Sequence, residues 1–209
     1  MKKISALLIG IGFCSAHLSA QDNTIIEKWN QIKVPHAVTP VAVKINPDTT
    51  ALLILDIEQR TVPSRPRAVA AVPKIKKILE WARSHNVLVA YSITTLSSPD
   101  AILPDVKPIH DEHVVKASVD KYFGTDLEKY LKDRNISTVI ITGTAAEGAV
   151  LGTMIGSVLR GFTVILPVDG IPSSEPYAEQ YVVWHALNAP GTRGKVIVTK
   201  GNMISAETN

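Results

Sequence analysis

The strongest constraint on the fold is the alternation of apolar runs with amphipathic segments after Thr50. Residues 51–57 form an apolar run interrupted only by Asp56, as in a central strand buried on both faces. Further strands are predicted at 87–93, 138–142, 162–168 and 195–199, with helical patterns between most of them. Such alternation is typical of a parallel sheet with crossover helices. We expect a three-layer α/β/α sandwich with a mainly parallel, doubly wound sheet of about five or six strands.

The helices of this sandwich have recognisable starts. Pro73 is predicted to lie in the first turn of a helix, because apolar residues at helical spacing follow it. Thr125 and Glu128 match a capping box. Residues 146–159 are apolar nearly all round, which predicts a buried helix. Ser174 is expected to cap the last helix.

The first twenty residues resemble a secretory signal peptide. They have a basic start, an apolar run too short to span a bilayer, and small residues before Gln21. A lipoprotein signal at Cys14 and a buried amino-terminal helix are the alternatives. We expect residues 1–20 to be a signal peptide, 21–49 an amino-terminal arm with a short helix near 24–31, and 50–209 one domain. The protein is then periplasmic or secreted, and removal of Cys14 leaves no thiol, because the chain has one cysteine.

Charge limits the partners. The formal net charge is +3, and two of the basic residues, Lys2 and Lys3, belong to the predicted signal. A nearly neutral mature chain gives no basis for binding nucleic acid or a membrane surface. We expect a small-molecule substrate, no nucleic acid and no membrane contact after signal removal.

Three short motifs carry residues suited to chemistry. Asp56 ends the first strand of the domain, where an unpaired buried carboxylate would be costly, and it is either a site residue or a structural carboxylate. Lys116 follows two valines, as a strand-borne lysine would, or it is an edge lysine whose amine reaches solvent. Residues 138–142 run into Gly143 and a helix of small residues, which is the strand–turn–helix that open α/β folds use for sites.

Together these motifs resemble the isochorismatase-like (cysteine hydrolase) family. In that family the first strand ends in a catalytic aspartate, a later strand carries a lysine, and a turn after Gly-Val supplies a cysteine. The resemblance implies catalytic positions at Asp56, Lys116 and Ala149, and the last of these is the cysteine position. The spacing from Lys116 to Thr125-Asp126-Leu127 matches the family, but Asp120-Lys121 replaces a Ser-Ala pair.

The resemblance also implies the surroundings of the site. The substrate-binding residues implied are Gln59, Tyr122, Thr144, Ala145 and Glu147. A cis peptide bond is expected at Thr144–Ala145, and backbone N–H groups of that turn would face developing negative charge. Glu147 is alternatively a carboxylate that favours the positive end of a helix.

Metal and other cofactors are not expected. Residues 92–96 lack the Asp-x-His…His pattern of nicotinamidase-like relatives, and the run 110–113 (His-Asp-Glu-His) reads as a solvated loop more readily than as a chelating site. Glu58 occupies the position where the family usually has glutamine, and Gln59 lies one place later.

Two functions of different classes follow. The first is a hydrolase of a small anionic, amide or vinyl-ether substrate that acts without a cysteine through an Asp–Lys pair and a helix N-terminal oxyanion site. The second is a catalytically inactive, exported small-molecule-binding or structural protein. The resemblance implies a homo-oligomer, a dimer or tetramer, and the aromatic cluster around Tyr177, Tyr181 and Trp184 is a core or interface candidate.

Overall fold

The computed structural model describes residues 24–207, in two compact units divided after Ala37. The first unit, described from Thr24, contains only turns and the short 3-10 helix Trp29–Gln31, where a helix over about 24–31 was expected. The predicted signal peptide and Cys14 lie outside the described residues. Within 24–207, no helix is both long and apolar enough to cross a membrane.

The second unit begins at Val38, and its described part, residues 38–207, contains eight strands and four α-helices. The strands are β1 (Val43–Ile45), β2 (Thr50–Leu55), β3 (Leu88–Ile93), β4 (His113–Lys116), β5 (Thr138–Gly143), β6 (Thr163–Pro167), β7 (Val196–Thr199) and β8 (Ile204–Ala206). The helices are α1 (Pro66–Ser84), α2 (Leu127–Lys132), α3 (Leu151–Leu159) and α4 (Pro176–Asn188).

Six of the strands form one parallel sheet in the order β4-β3-β2-β5-β6-β7. The chain leaves β2 in one direction through β3 and β4, and returns to the other side of β2 at β5. This reversal is the topological switch point of a doubly wound sheet, so the expected fold class is confirmed. Strands β1 and β8 form a separate parallel pair, which places residues 43–45 of the predicted arm in regular structure.

The core explains why β2 reads as a continuous apolar run. All six of its residues are buried, and alternate side chains enter opposite layers. Leu53 packs in the layer with α3 and α4, whereas Leu52 packs in the layer with α1. A strand covered on both faces has no polar side, and the absence of alternation follows from that.

Three predicted helix starts differ from the structure, in position or in capping. Helix α1 begins at Pro66 and not at the predicted Pro73. Pro73 lies inside the helix with its side chain exposed. Thr125 accepts a hydrogen bond from the Leu127 N–H at 3.3 Å, but Glu128 binds Lys132 and Arg160 instead of completing a capping box. Helix α4 has no side-chain cap and starts at Pro176 after Glu175, so the predicted cap at Ser174 is not formed. In the first and last cases a proline at the first helical position, with its preset φ, marks the start.

Candidate active site

The carboxyl ends of β2 and β5 meet at a cleft of about 260 Å³. Gly143 makes this meeting possible: it has φ +129°, and a Cβ there would lie 2.1 Å from the Leu55 carbonyl oxygen. The cleft is lined by Asp56, Thr61, Arg65, Thr94, Thr95, Ala117, Ser118, Val119, Thr144, Ala145, Gly148 and Ala149. The switch point of the sheet therefore carries the candidate site, as this class of fold predicts.

Asp56 follows β2 directly and is 4% exposed, in a left-handed conformation with φ +53°. The Ser92 hydroxyl donates to its Oδ1 atom at 2.7 Å, and the Lys121 ammonium donates to its Oδ2 atom at 2.7 Å. Each carboxylate oxygen keeps a further lone pair for a ligand. Asp56 is thus a buried, doubly hydrogen-bonded carboxyl group that also lines the cleft.

Lys121 is fully buried and its three N–H donors are all used. Besides Asp56, the Nζ atom donates to the Ser118 carbonyl at 2.5 Å and to the Ala117 carbonyl at 3.3 Å. A substrate would have to displace one of these bonds to reach the ammonium. Lys121 therefore holds the Asp56 carboxyl group in place and gives the site a positive charge, but its ammonium is not free to bind a substrate.

The predicted pairing of Asp56 with Lys116 is wrong. Lys116 is exposed at the end of β4, an edge strand of the sheet. Its neighbour Val115 points into the core, and because successive side chains of a strand point to opposite faces, Lys116 lies on the other face. The missed signal was Asp120-Lys121, where a charged residue replaces a small residue of the family pattern.

Two glycines of α3 allow Lys121 to reach Asp56. A Cβ at Gly152 would lie 2.6 Å from the Val119 Cγ1 atom, and one at Gly156 would lie 2.6 Å from Asp120 Oδ1. Residues 119–121 therefore pack directly on the helix, and the backbone N–H of Lys121 donates a hydrogen bond to the Thr153 hydroxyl at 3.3 Å. The glycines are four residues apart, on one face of α3, and that spacing was a signal visible in the sequence.

The turn after β5 contributes Thr144, Ala145, Gly148 and Ala149 to the lining of the cleft. The Thr144–Ala145 peptide bond is cis, as the resemblance implies. A π-helical turn (Ala146–Val150) kinked at Gly148 comes before α3, so the single helix expected over 146–159 has two parts. Among residues 24–207, the Ala145 N–H has no backbone acceptor, and Ala145 lines the cleft. Ala149 also lines it, with a methyl group at the family's cysteine position.

Burial raises the pKa of Asp56 above its ordinary value. Lys121 and Ser92 act in the opposite direction, and the negative charge of Glu58 adds to the increase. Glu58 is itself fully buried; its Oε1 atom accepts from Thr94 at 2.7 Å, and its Oε2 atom has no hydrogen-bond partner among residues 24–207. Asp56 therefore keeps its proton to a higher pH than an exposed aspartate does.

Three predicted substrate-binding residues do not line the cleft. Gln59 and Glu147 are both exposed, and the Glu147 Oε2 atom accepts a hydrogen bond from the Ser173 hydroxyl at 2.5 Å. Tyr122 is a core residue, 4% exposed, with its hydroxyl 2.9 Å from that of Ser157. Thr144 and Ala145 do line the cleft. Sequence reasoning missed Thr61, Arg65, Thr94, Thr95 and Ser118, which enter from loops after three different strands.

Two residues of the 110–113 run have polar partners outside it. Glu112 binds Arg83 at 2.7 Å and His113 contacts Asp126 at 2.8 Å. Within the described part of the chain, no three His, Cys, Asp or Glu side chains come together as a metal site would require.

Comparisons with known proteins place this geometry in a family. Residues 50–199 match the isochorismatase domain model. The chain is 32% identical over 133 residues to an uncharacterised isochorismatase family protein, YrdC, of Bacillus subtilis, covering 57% of this chain and 71% of that protein. It is 26% identical over 156 residues to N-carbamoylsarcosine amidase of an Arthrobacter species, covering 61% of this chain and 59% of the amidase.

Solved structures share the fold. A cysteine hydrolase from Pseudomonas syringae pv. phaseolicola superposes with a TM-score of 0.68 at 19% identity, covering 80% of this chain and 95% of the hydrolase. The nicotinamidase of Staphylococcus aureus superposes with a TM-score of 0.65 at 19% identity, covering 73% and 99%. With the family domain spanning most of the chain, this protein belongs to the isochorismatase family of hydrolases.

Proposed function

We propose that this protein hydrolyses a small substrate without a cysteine nucleophile, with Asp56 as its catalytic acid. The observation that carries the proposal is the buried Asp56–Lys121 pair, which opens on a cleft beside Ala149. A small substrate fits because 260 Å³ lies just below the usual range of about 300–1,000 Å³ for drug-sized ligands.

A covalent route through the turn has no nucleophile. Ala149 has no reactive atom, and the Thr144 hydroxyl already donates to the Pro172 carbonyl at 3.1 Å. Activation of a hydroxyl also needs an adjacent base, and no described base contacts Thr144. The chemistry therefore depends on Asp56 and a water molecule.

Proton delivery to a vinyl ether uses this arrangement well. Asp56 gives its proton to the alkene carbon that does not carry the ether oxygen, and the carbon that does carry it becomes an oxocarbenium ion. Water then adds to this oxocarbenium carbon. The water's proton returns to Asp56, and the adduct separates into an alcohol and a carbonyl compound. Burial raises the pKa of Asp56 and so favours the protonated acid, while Lys121 and Ser92 stabilise the carboxylate that forms.

Substitution of Asp56 by asparagine tests the proposal. Asp56→Asn keeps the shape of the side chain but cannot deliver a proton, so kcat should fall by about 10²- to 10⁴-fold. The effect should appear in kcat more than in KM. Asp105→Asn, which removes a carboxylate from an exposed ion pair with Lys76, is the matched control and should leave turnover unchanged.

The pH profile gives the second test. An acid must be protonated, so kcat/KM for a vinyl ether should fall as pH rises through the raised pKa of Asp56. An amide substrate would instead need ionised Asp56 as a base toward water, and its rate would rise over the same interval. Full activity of Asp56→Asn, or a vinyl-ether rate that rises with pH, would remove the catalytic assignment.

A non-catalytic binding protein is the second candidate, and the alanine at position 149 favours it. A screen of vinyl ethers, amides and esters, followed by calorimetry with the same compounds, separates the two. Binding without turnover supports a binding protein. Export and homo-oligomer formation remain predictions for either function.

A further inference from the structure

We propose that Arg65 is the binding residue for a carboxylate on the substrate, so that the protein acts on small carboxylic acids. This inference rests on the proposed function for the reaction, but the binding site itself does not depend on turnover. Arg65 immediately precedes α1 and lines the same cleft as Asp56 and Ala149.

The guanidinium of Arg65 is held in place but not neutralised. Its NH1 group donates to the Thr61 carbonyl at 2.7 Å, and the Thr61 hydroxyl donates to the backbone carbonyl of Asp56 at 2.5 Å. No carboxylate of residues 24–207 lies within 4.0 Å of the Arg65 guanidinium, unlike Arg67, which binds Glu179. Within the described residues, four of its five N–H donors have no protein acceptor.

The other charges of the site do not replace Arg65. Lys121 is paired with Asp56 and has no N–H left for a ligand. Glu58 is buried behind Thr94 and does not line the cleft. Arg65 is thus the cation of the described cleft lining that can bind an anion directly.

The remaining lining fits a compact anion. Thr95 and Ser118, whose side chains can donate hydrogen bonds, also line the cleft, and the volume admits only a small molecule. A guanidinium binds a carboxylate through two parallel N–H···O bonds, which fixes orientation as well as affinity. A carboxylate at Arg65 would leave the rest of the molecule to reach Asp56 and Ala149.

Binding of matched acids and amides tests the inference without turnover. Benzoate and pyruvate, each against its neutral amide, and inorganic phosphate are titrated into the whole protein by calorimetry. We expect both carboxylates to bind and their amides to bind at least tenfold more weakly, because a hydrogen bond to a charged group is worth about a factor of ten to a hundred.

Three variants assign the effect to Arg65. Arg65→Gln should weaken carboxylate binding about ten- to a hundredfold, and Arg65→Lys, which keeps the charge but not the fork, should be intermediate. Arg67→Gln, two positions away and outside the cleft, is the control and should bind as the wild type does. Thermal melting of each variant checks that the fold is intact.

Several results would overturn the inference. They are equal binding of acid and amide, wild-type affinity in Arg65→Gln, no carboxylate binding to the wild type, or phosphate binding as tightly as the carboxylates. Failure of the catalytic proposal is recognised separately, because Asp56→Asn would then keep its turnover while carboxylate binding still depended on Arg65.

Discussion

At the scale of single residues, the site depends on how its surroundings raise or lower the pKa of Asp56. Burial favours the neutral acid, whereas Lys121 and Ser92 favour the carboxylate. A proton donor needs both influences, since it must hold its proton at working pH and release it in the transition state. The two amine groups of the region, Lys121 and Lys116, differ in burial and can be compared directly.

Lys121→Met should destabilise the protein and Lys116→Met should not. Removal of one partner of a buried ion pair costs about 3–5 kcal/mol, less whatever is recovered when Asp56 takes up a proton. The free energy of unfolding of Lys116→Met should stay within about 0.5 kcal/mol of wild type, because Lys116 is exposed. Urea unfolding of the two variants measures both values.

The pH dependence of Lys121→Met has a defined sign. Without the ammonium, the folded-state pKa of Asp56 rises further above its unfolded value. The contribution of Asp56 to the stability of this variant is then fully present below the unfolded pKa and is lost as pH rises through the folded pKa. A loss of stability that is the same at acid and neutral pH would contradict the ion-pair assignment.

Glu58→Gln should lower the pKa of Asp56. Burial is the main reason that this pKa is raised, and the charge of Glu58 adds to it. The amide keeps the size of the side chain and removes that charge, so the fall of kcat/KM with increasing pH should begin at lower pH. Glu80→Gln, an exposed carboxylate of α1, is the control and should leave the profile unchanged. An unchanged profile in Glu58→Gln would mean that Asp56 is not the titrating group.

At the scale of elements, the position of Lys121 depends on a close contact between α3 and residues 119–121. Gly152 gives the nearer contact with the chain, since a Cβ there would also lie 3.2 Å from the Val119 backbone. This packing holds Lys121 on a loop beside Asp56, whereas Lys116, the lysine expected from the family resemblance, lies on β4. The element contact, more than the lysine alone, therefore determines whether the site is assembled.

Gly152→Ala should lower both stability and turnover. Alanine is favoured over glycine in a helix by about 1 kcal/mol, but overpacking costs about 1–3 kcal/mol, and the clash would move the loop that carries Lys121. Leu159→Ala on the exposed end of the same helix is the control and should change unfolding by about 0.5 kcal/mol or less. A Gly152→Ala variant that is more stable and fully active would show that the loop adjusts freely.

At the scale of the whole molecule, the fold could be predicted from the sequence further than the site could. A strand that is buried on both faces, such as β2, appears in the sequence as a continuous apolar run, and such a run can be recognised locally. The position of Asp56 at the switch point then follows from the strand order. The lysine could not be identified in the same way. Lys116 and Lys121 both suit the region by sequence, and their difference depends on the edge position of β4 and on the glycines of α3, which are tertiary features.

The complete fold also assembles the cleft around a position without a nucleophile, and Ala149→Cys tests how much of the reaction geometry remains. In a Cys14→Ser background, the new thiol would lie on the cleft near the Asp56–Lys121 pair. Asp56 could accept its proton and the Ala145 N–H could face a developing oxyanion. We expect weak amidase or esterase turnover, a covalent acyl-enzyme detectable by mass spectrometry, and loss of both after alkylation.

Adding Asp56→Asn should abolish the acquired activity, whereas the Cys14→Ser protein with Ala149 should form no acyl-enzyme. Thiol-dependent turnover that is unaffected by Asp56→Asn would show that the thiol acts alone, and that the fold does not preserve the geometry between β2 and β5.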